Sequence, residues 1–212
     1  MPSPKVRESH YSYADYLAWD DGQRWELIDG EATCMSPAPT LDHQAIVTEL
    51  VAQLATALRG KPCQPFASPV DVRLAAPGTA DDRIDRVVQP DVLVVCDPSK
   101  LDRRGVVGAP DLIVEVVSPG TASYDHVKKR RLYESAGVRE FWLVHPADRI
   151  VVVYTLGSTA PGSTAPGSTA PGSAEYGRPE VAPMQGQTPV QVLPGVSIDW
   201  EPVLERLGPA ES

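Results

Sequence analysis

The stretch that decides the fold is DLIVEVV, residues 111–117, taken together with DVLVV, residues 91–95. Both contain continuous runs of Val, Ile and Leu, which are typical of strands buried on both faces of a sheet. Asp91 opens the first strand directly after Pro90, and Glu115 lies inside the second. A carboxylate in such a strand is costly to bury unless another group pairs with it. The two stretches therefore predict a sheet core that contains an acidic site.

Upstream of these strands, local patterns predict two helices and a hairpin. Residues 11–20 are expected to form a short helix. The segment RWELIDGEATCMSP is expected to form a β-hairpin, because Asp29-Gly30 is a preferred two-residue turn. A longer helix is predicted from about Leu41 to Leu58. Its buried stripe, with spacings of three and four, comprises His43, Val47, Leu50, Leu54 and Leu58.

Further strands and a third helix complete the predicted domain. Strands are expected at residues 64–74, 141–144 and 149–154, the last two joined as a hairpin by the turn HPAD. A helix is predicted from about residue 124 to residue 136 and ends at Gly137. The resulting order is helix, strand, strand, strand, helix, strand, preceded by a hairpin, which indicates an α/β fold.

The chain of 212 residues is long enough for one domain of ordinary size. The pentapeptide GSTAP occurs three times in succession from Gly157, and this composition predicts a flexible loop because it cannot bury a core. The predicted parts are a tail at 1–10, a folded domain at 11–156, a flexible loop at 157–178 and, at 179–212, a segment that packs back on the domain.

The composition limits the classes of function. The formal net charge of −9 counts against a surface that wraps duplex DNA mainly by neutralising phosphates. A local basic cluster or a bound metal ion can still reverse the field at one site. A nucleic-acid enzyme therefore remains compatible with the charge, provided that its binding is local.

The cysteines and the N-terminal residues bear on the compartment. Cys34, Cys63 and Cys96 are odd in number and lack C-x-x-C spacing, which argues against a disulfide framework or a zinc site. Cys96 is expected to be a small core residue at the end of a strand. No apolar run follows Lys5 and Arg7, so no signal peptide is expected, and no stretch approaches the ~20 apolar residues of a membrane helix. A cytoplasmic protein is the expectation.

Asp91 and Glu115 gain significance as a pair. Each alone has an ordinary explanation: a salt bridge for Glu115, and turn chemistry for an Asp that follows Pro90. Together, they place two carboxylates near the same end of a sheet, where they repel each other unless a divalent cation lies between them. Oxygen ligands favour Mg²⁺ or Mn²⁺ over zinc. The pair therefore predicts a metal site.

Lys129 is the third candidate. On the predicted helix it shares the apolar, inward face with Leu132 and Ala136. An inward Lys beside two carboxylates could stabilise negative charge on a phosphate. The alternative is a Lys whose stem is buried and whose ammonium pairs with Asp125, one turn earlier. The run KKRR at 128–131 is more often a solvated helix face than a phosphate-binding surface.

Three further residues are weaker candidates. Glu26, between Trp25 and Leu27, could face the same cavity as an auxiliary group, although one side of a hairpin more often faces water. His43 lies on the apolar stripe of the long helix, where a lone His is more often a hydrogen-bonded core residue than a ligand. Asp111 rivals Asp91 as a ligand, although its position after a proline also suits the turn at the start of a strand.

Several segments, in order, resemble the Uma-type family of putative restriction endonucleases in the PD-(D/E)-x-K nuclease superfamily. The resemblance covers roughly residues 11–156. The matching segments are WELIDGE, MSPAPTLDHQ, QPDVLVV, PDLIVEVVSPGT, D-x-x-x-K-x-x-x-Y at 125–133, and GVREFWLVHP. The resemblance implies a restriction-endonuclease-like αβββαβ core with a mixed central sheet, and a Mg²⁺-dependent phosphodiesterase site.

The same resemblance assigns roles to individual residues. Asp91 matches the Asp of the Pro-Asp motif, and Glu115 matches the acidic residue of (D/E)-x-K. Val117 occupies the place of the motif lysine, and in the similar family the Lys comes from the following helix, which here is Lys129. The leading hypothesis is a metal-dependent DNA endonuclease, expected to be a homodimer because cutting both strands suits two symmetric sites. The alternative is a non-catalytic nucleic-acid-binding or regulatory module on a nuclease scaffold, since fold does not fix function.

Overall fold

The computed structural model describes residues 10–35, 39–118, 124–157 and 174–207, with only the backbone of 124–126. The helices are α1 (Tyr13–Leu17), α2 (Leu41–Ala57), α3 (Arg130–Ala136) and α4 (Glu201–Leu204). A π-helical segment, Tyr124–Lys129, runs directly into α3, and 3₁₀ turns lie at Asp81–Arg83 and Pro98–Lys100. The helix expected at 124–136 is thus present, with a wider first half, and it ends at Gly137 in the left-handed conformation.

Most of the described strands belong to two sheets. In chain order the strands are β1 (Trp25–Ile28), β2 (Glu31–Cys34), β3 (Gln64–Ala67), β4 (Val72–Arg73), β5 (Val87–Val88), β6 (Val92–Val95), β7 (Leu101–Asp102), β8 (Gly105–Val107), β9 (Leu112–Val116), β10 (Glu140–His145), β11 (Ile150–Gly157), β12 (Glu175–Tyr176), β13 (Glu180–Pro183), β14 (Gln187–Pro189) and β15 (Ser197–Asp199). The central sheet has the order β12-β11-β10-β9-β6-β3, with β13 also paired to β11. The hairpin sheet has the order β2-β1-β5-β4-β8-β7, and β14 pairs with β15 separately.

The central sheet is mixed. Strands β9 and β10 are parallel, and the helical segment 124–136 makes the crossover between them. The other neighbours in this sheet are antiparallel. The elements α2, β3, β6, β9, α3 and β10 follow the order αβββαβ, and β1–β2 form a hairpin before them. The expected restriction-endonuclease-like α/β fold is therefore confirmed.

Both faces of the central sheet are buried, which explains its continuous apolar strands. Val92 and Val94 face the side covered by α2, where Leu50 and Leu54 pack. Residues on the opposite face of β6 and β9 pack with Leu132 of α3 and with residues of the hairpin sheet. Glu115 lies in β9 within this apolar sandwich. Its partners therefore have to come from the elements that cover the sheet.

The hairpin sheet brings β1 over the central sheet. Asp29 and Gly30 both have positive φ, 52° and 77°, as the predicted two-residue turn requires. Along β1, Leu27 packs with Tyr13 of α1, whereas Ile28 packs into the core shared with the central sheet. Because side chains alternate along a strand, Glu26 points to the same side as Ile28. The hairpin thus aims a carboxylate at the central sheet.

The single strand expected at 64–74 is wrong. Residues Gln64–Ala67 belong to the central sheet, and Val72–Arg73 belong to the hairpin sheet. A cis peptide bond at Ser68-Pro69 lies between them. The short strands β5, β7 and β8 have two or three residues each, which is too few for a periodic pattern to reveal.

The argument against a disulfide is also wrong, because Cys63 and Cys96 form a disulfide bond. Cys96 is partly buried and packs against the core at the end of its strand. The pairing of Gln64 with Val95 in the antiparallel β3–β6 ladder sets the two cysteines opposite each other. They are 33 positions apart in the sequence, so only the strand register brings them together. Cys34 is a free, exposed thiol.

The chain after β11 contributes to the core. Trp200 is fully buried, and its ring centroid lies 6.3 Å from that of Trp142 in β10. Of the segment expected to be a flexible loop, residues 158–173 lie outside the described residues, whereas Glu175–Tyr176 form β12. The division at 157–178 remains a prediction. Within the described part of the chain, no helix is long and apolar enough to cross a membrane.

Candidate active site

Asp91 and Glu115 lie side by side at one end of the central sheet. Strands β6 and β9 are antiparallel, with Val92 opposite Val114. Asp91 directly precedes the first of these residues, and Glu115 directly follows the second. The backbone N–H of Val116 donates to Asp91 Oδ2 at 2.8 Å. The register of this antiparallel pair therefore places the two predicted acidic residues at neighbouring backbone positions at one end of the sheet.

Glu115 is held by two side chains of the helical segment that follows β9. Its carboxylate is buried, and its Oε1 accepts hydrogen bonds from Lys129 Nζ at 3.0 Å and from the Tyr133 hydroxyl at 2.7 Å. Lys129 is only 5% exposed, so its ammonium is inside the protein rather than at the surface. Positions four apart lie on the same face of a helix, which explains why both side chains reach one oxygen.

Glu26 contacts the same ammonium from the hairpin sheet. It is 3% exposed, which differs from a hairpin side chain that faces water. Its Oε1 lies 3.2 Å from Lys129 Nζ and accepts a hydrogen bond from the Gln89 N–H at 3.0 Å. Lys129 therefore lies between a carboxylate of β1 and a carboxylate of β9, and it links the two sheets.

His43 extends the contacts to α2. Its Nε2 lies 3.1 Å from Asp91 Oδ2, and its side chain is 13% exposed. Thr40 caps the helix by accepting from the His43 N–H at 3.2 Å, which fixes the first turn beside the end of β6. His43 Nδ1 is buried and has no hydrogen-bond partner among the described residues. Nδ1 is therefore the ring atom that could form a further hydrogen bond.

The balance of charge in this cluster is negative. The carboxylates of Glu26 and Glu115 both contact the ammonium of Lys129, and Asp91 contacts His43, which adds a positive charge only when protonated. In their ionised forms, these side chains leave uncompensated negative charge in a largely dehydrated place, where it is costly. Such a cluster attracts cations and repels anions unless a cation is bound.

The donor atoms suit a hard divalent cation. Among the side chains of residues 10–35, 39–118, 127–157 and 174–207, no three from His, Cys, Asp or Glu converge closely enough to ligate one metal ion. Mg²⁺ does not need such a cage, because it usually binds through one or two carboxylates and completes its shell with water and substrate phosphate. Asp91 and Glu115 lie at neighbouring positions of the β6–β9 pair and supply the oxygen donors that this mode of binding uses.

The structure separates the other candidates from this cluster. Asp111 lies at the opposite end of β9, where it accepts from the Cys96 N–H at 2.6 Å and pairs with Arg139. It fixes the start of a strand and does not rival Asp91. The side chain of Asp125, the alternative partner of Lys129, lies outside the described side chains.

The basic run at 128–131 is divided between partners. Lys128 lies 3.4 Å from Glu31 in an exposed ion pair, and Arg130 lies 3.5 Å from Glu134. Lys129 alone among these residues is shown to contact the acidic cluster. Because Lys129 is buried, the four basic side chains of the run do not all lie on one exposed surface.

Two partners in the cluster have little or no signal in the sequence. Tyr133 follows Lys129 by one helical turn, so its place on the inward face is predictable, although its bond to Glu115 is not. Gln89 acts through its backbone N–H, which any residue except proline would supply. Its side chain accepts from Arg24 Nε at 2.8 Å, which fixes the segment before Asp91.

Comparisons with known proteins agree with this architecture. A family model described as "Uma2: Putative restriction endonuclease" matches residues 13–200. An uncharacterized protein of Synechocystis sp. is 30% identical over 133 residues, which span 62% of this chain and 66% of that protein, just under two thirds of its length. The crystal structure of a putative nuclease belonging to DUF820, from Anabaena variabilis, has a TM-score of 0.65 at 17% identity and covers 92% of this chain and 98% of that chain.

The structural similarity at this low identity establishes a shared fold, whereas the match to the family model establishes that the chain is related to the members of that family. Its match extends from α1 to the residue before α4, well over half of the chain. The protein therefore belongs to the Uma2 family, which is described as a family of putative restriction endonucleases.

Proposed function

We propose that the protein is a metal-dependent endonuclease that hydrolyses phosphodiester bonds of DNA. The observation that supports this most is the contact of Lys129 Nζ with Glu115 Oε1 at 3.0 Å, beside the paired end of β6 that carries Asp91. Two carboxylates and an ammonium in one cluster are the groups that phosphodiester hydrolysis needs for cation binding and for charge stabilisation. Membership of a family described as putative restriction endonucleases favours the same reaction.

Each residue has a distinct role in this proposal. Asp91 and Glu115 would hold Mg²⁺ or Mn²⁺, which supplies Lewis-acid chemistry that polarises a phosphate and favours the deprotonation of water. Lys129 stabilises the negative charge that develops on the phosphate during attack. His43 orients Asp91 through their contact at 3.1 Å, which restricts the direction in which its second oxygen points. Tyr133 orients Glu115 in the same way.

The acidic composition constrains how DNA is bound. With a net charge of −9, the chain cannot attract DNA through its overall field. Binding depends on the few groups at the site and on the cation, so the affinity should fall less steeply with salt than in a protein with many phosphate contacts. A homodimer with two symmetric sites is part of the proposal, because it allows both strands of a duplex to be cut.

Cleavage of supercoiled plasmid in the presence of Mn²⁺ tests the proposal. We expect the wild-type protein to nick the plasmid, and we expect Asp91→Asn, Glu115→Gln and Lys129→Met each to abolish nicking. Glu31→Gln is the matched control, since Glu31 is an exposed acid that directly follows the hairpin turn and pairs only with Lys128 among the contacts described. Nicking that survives all three site substitutions would exclude this site as its source.

A non-catalytic nucleic-acid-binding or regulatory module is the second candidate. It is favoured by Val117, which occupies the place of the motif lysine. The two candidates differ in a simple experiment. A binding module retards DNA on a gel with or without Mn²⁺ and never converts supercoiled plasmid to the nicked form, whereas the nuclease does.

A further inference from the structure

Among the described side chains, Lys129 contacts two carboxylates that belong to different sheets. Its Nζ lies 3.0 Å from Glu115 Oε1 in the central sheet and 3.2 Å from Glu26 Oε1 in the hairpin sheet. Both carboxylates and the ammonium are nearly inaccessible to solvent. An ion pair with one acid would satisfy the charge of the lysine, so the second acid requires its own explanation.

Binding of a cation at Glu115 would weaken the attraction between the Glu115 carboxylate and the Lys129 ammonium. Oε1 of Glu115 already accepts from Lys129 and from Tyr133, and a divalent cation on the same carboxylate would repel the ammonium. A lysine held by Glu115 alone would then move away from the place where a phosphate reacts. Glu26 offers the ammonium a second carboxylate, to which the cation is not bound.

We infer that Glu26 is a positioning residue that keeps the Lys129 ammonium at the active site while Glu115 is engaged by the metal. The positioning role rests on the proposed nuclease function, whereas the contact between Glu26 and Lys129 is present whether or not the protein is an enzyme. Glu26 touches neither substrate nor metal in this arrangement. It acts through Lys129, by compensating its charge and fixing its direction.

Glu26 is itself fixed by the segment that carries Asp91. The Gln89 N–H donates to Glu26 Oε1 at 3.0 Å, and Asp91 follows two residues later. Arg24, two residues before Glu26, donates to the side-chain oxygen of Gln89 from Nε at 2.8 Å and from Nη2 at 2.6 Å. The position of Glu26 is therefore coupled to that of Asp91. Movement of β1 would displace Lys129 relative to Asp91 and Glu115.

Thermal unfolding of single and double variants tests the contact without any activity measurement. Glu26→Gln should lower the Tm in the wild-type background, because it weakens a buried ion pair. In the Lys129→Met background, where Glu26 is a buried charge that has lost its ammonium, the same substitution should raise the Tm or leave it unchanged. Equal lowering in both backgrounds, within about 1 °C, would show that the two residues act independently. Lys129→Gln repeats the cycle if Lys129→Met does not fold.

Mn²⁺ binding distinguishes a positioning residue from a ligand. We expect Glu26→Gln to retain the Kd for Mn²⁺ within about threefold, whereas Glu115→Gln should weaken it at least tenfold. Equal weakening by the two substitutions would identify Glu26 as a metal ligand and overturn the inference. Glu31→Gln, on the next strand of the same hairpin, is the matched control and should change neither Kd nor Tm.

Kinetics provide the last readout. Glu26→Gln should lower kcat at least about tenfold with little change in KM, and Glu26→Asp, which keeps the charge, should recover part of the loss. No loss in kcat, with wild-type nicking intact, would refute the positioning role alone. If the wild-type protein does not cleave DNA at all, the proposed function fails, while the thermal cycle and the Mn²⁺ measurement still decide whether Glu26 holds Lys129.

Discussion

Two buried glutamates on neighbouring strands of the central sheet have opposite environments. Glu140, at the start of β10, is fully buried and accepts hydrogen bonds from the Trp142 indole N–H at 2.6 Å and the Val192 N–H at 2.7 Å. These donors are uncharged. Glu115, near the end of β9, is held by a lysine and a tyrosine and lies beside Asp91.

The difference separates a structural acid from a candidate for chemistry. Each oxygen of Glu140 accepts a hydrogen bond from an uncharged donor, one in β10 and one in the segment before β15, so this carboxylate joins two parts of the chain. Glu115 belongs to a cluster whose acids outnumber its ammonium, which is an arrangement that favours a cation. Burial of a carboxylate alone therefore does not indicate function. The charge of its partners does.

The largest expected effect concerns activity. Glu115→Gln should reduce Mn²⁺-dependent nicking by about 10²–10³-fold or more, since it removes a charge that the reaction needs. Glu140→Gln should leave nicking by the folded protein within about threefold, because it keeps the shape and is remote from the reacting groups. The rate per molecule of folded protein, determined at a temperature well below both midpoints, gives this contrast. Similar losses in the two variants would remove the distinction between the glutamates.

The second effect concerns stability. Glu140→Ala should lower the free energy of unfolding by about 3 kcal/mol, because it leaves the Trp142 indole N–H and the Val192 N–H buried without acceptors. Glu140→Gln should cost less, since its amide oxygen still accepts one of these bonds. Urea unfolding followed by tryptophan fluorescence measures both. A loss below about 1 kcal/mol for the alanine variant would mean that the C-terminal segment does not depend on this carboxylate.

The third effect concerns the cation. Saturating Mn²⁺ should raise the Tm of the wild-type protein by about 5 °C or more if it reaches 100 times its Kd, because it binds only the folded state. The shift should persist in Glu140→Gln and disappear in Asp91→Asn and Glu115→Gln. Differential scanning calorimetry provides the measurement. A shift of the same size in all four proteins would assign the ion to another place.

The fourth effect is a dependence of stability on pH. Burial raises the pKa of the Glu140 carboxyl above its ordinary value of 4.5, and the hydrogen bonds from Trp142 and Val192 only partly offset this. The folded state therefore holds this proton more tightly than the unfolded chain. The contribution is fully present below pH 4.5 and is lost as the pH rises through the higher pKa of the folded state.

Comparison with the glutamine variant isolates this contribution. The stability difference between wild type and Glu140→Gln should shift in favour of the variant as the pH rises above 4.5, because glutamine does not titrate. Urea midpoints across a series of buffers measure the difference. A difference that stays constant with pH would show that Glu140 has the same pKa in both states.

The smallest effect belongs to the surface. Lys128→Ala should change the free energy of unfolding by no more than about 0.5 kcal/mol, because its pairing with Glu31 is exposed to solvent. It is the control for Lys129→Met, one residue along the same helical segment. If the two substitutions have equal effects on stability, burial of Lys129 does not distinguish it from its neighbour.

Much of the fold could be predicted from local patterns. The continuous apolar runs predicted β6 and β9, the spacing of Leu50 and Leu54 predicted α2, and Asp29-Gly30 predicted the hairpin turn. These predictions succeed because each depends on residues within a few positions of one another. The split of residues 64–74 between two sheets depends on which neighbour each half finds, so no local pattern contains it.

The candidate site divides in the same way. Asp91, Glu115 and Lys129 could be selected because acidic or basic side chains are unusual on apolar strands and on inward helix faces. Glu26 was expected only as an auxiliary group, and its burial against Lys129 follows from the position of the hairpin sheet over the central sheet. The Cys63–Cys96 disulfide follows from the β3–β6 register, and the cysteine count alone argued against it.

The sequence by itself determined the longer helices and the continuous apolar strands, and which of them contain a charge in apolar surroundings, because these properties depend on neighbours along the chain. Only the tertiary structure decided which charges meet. Lys129 lies between Glu26 and Glu115 because two sheets pack face to face, and Glu140 meets Val192 because the C-terminal segment covers β10. Contacts between distant residues depend on strand register and packing, and the free energy of the whole fold determines both.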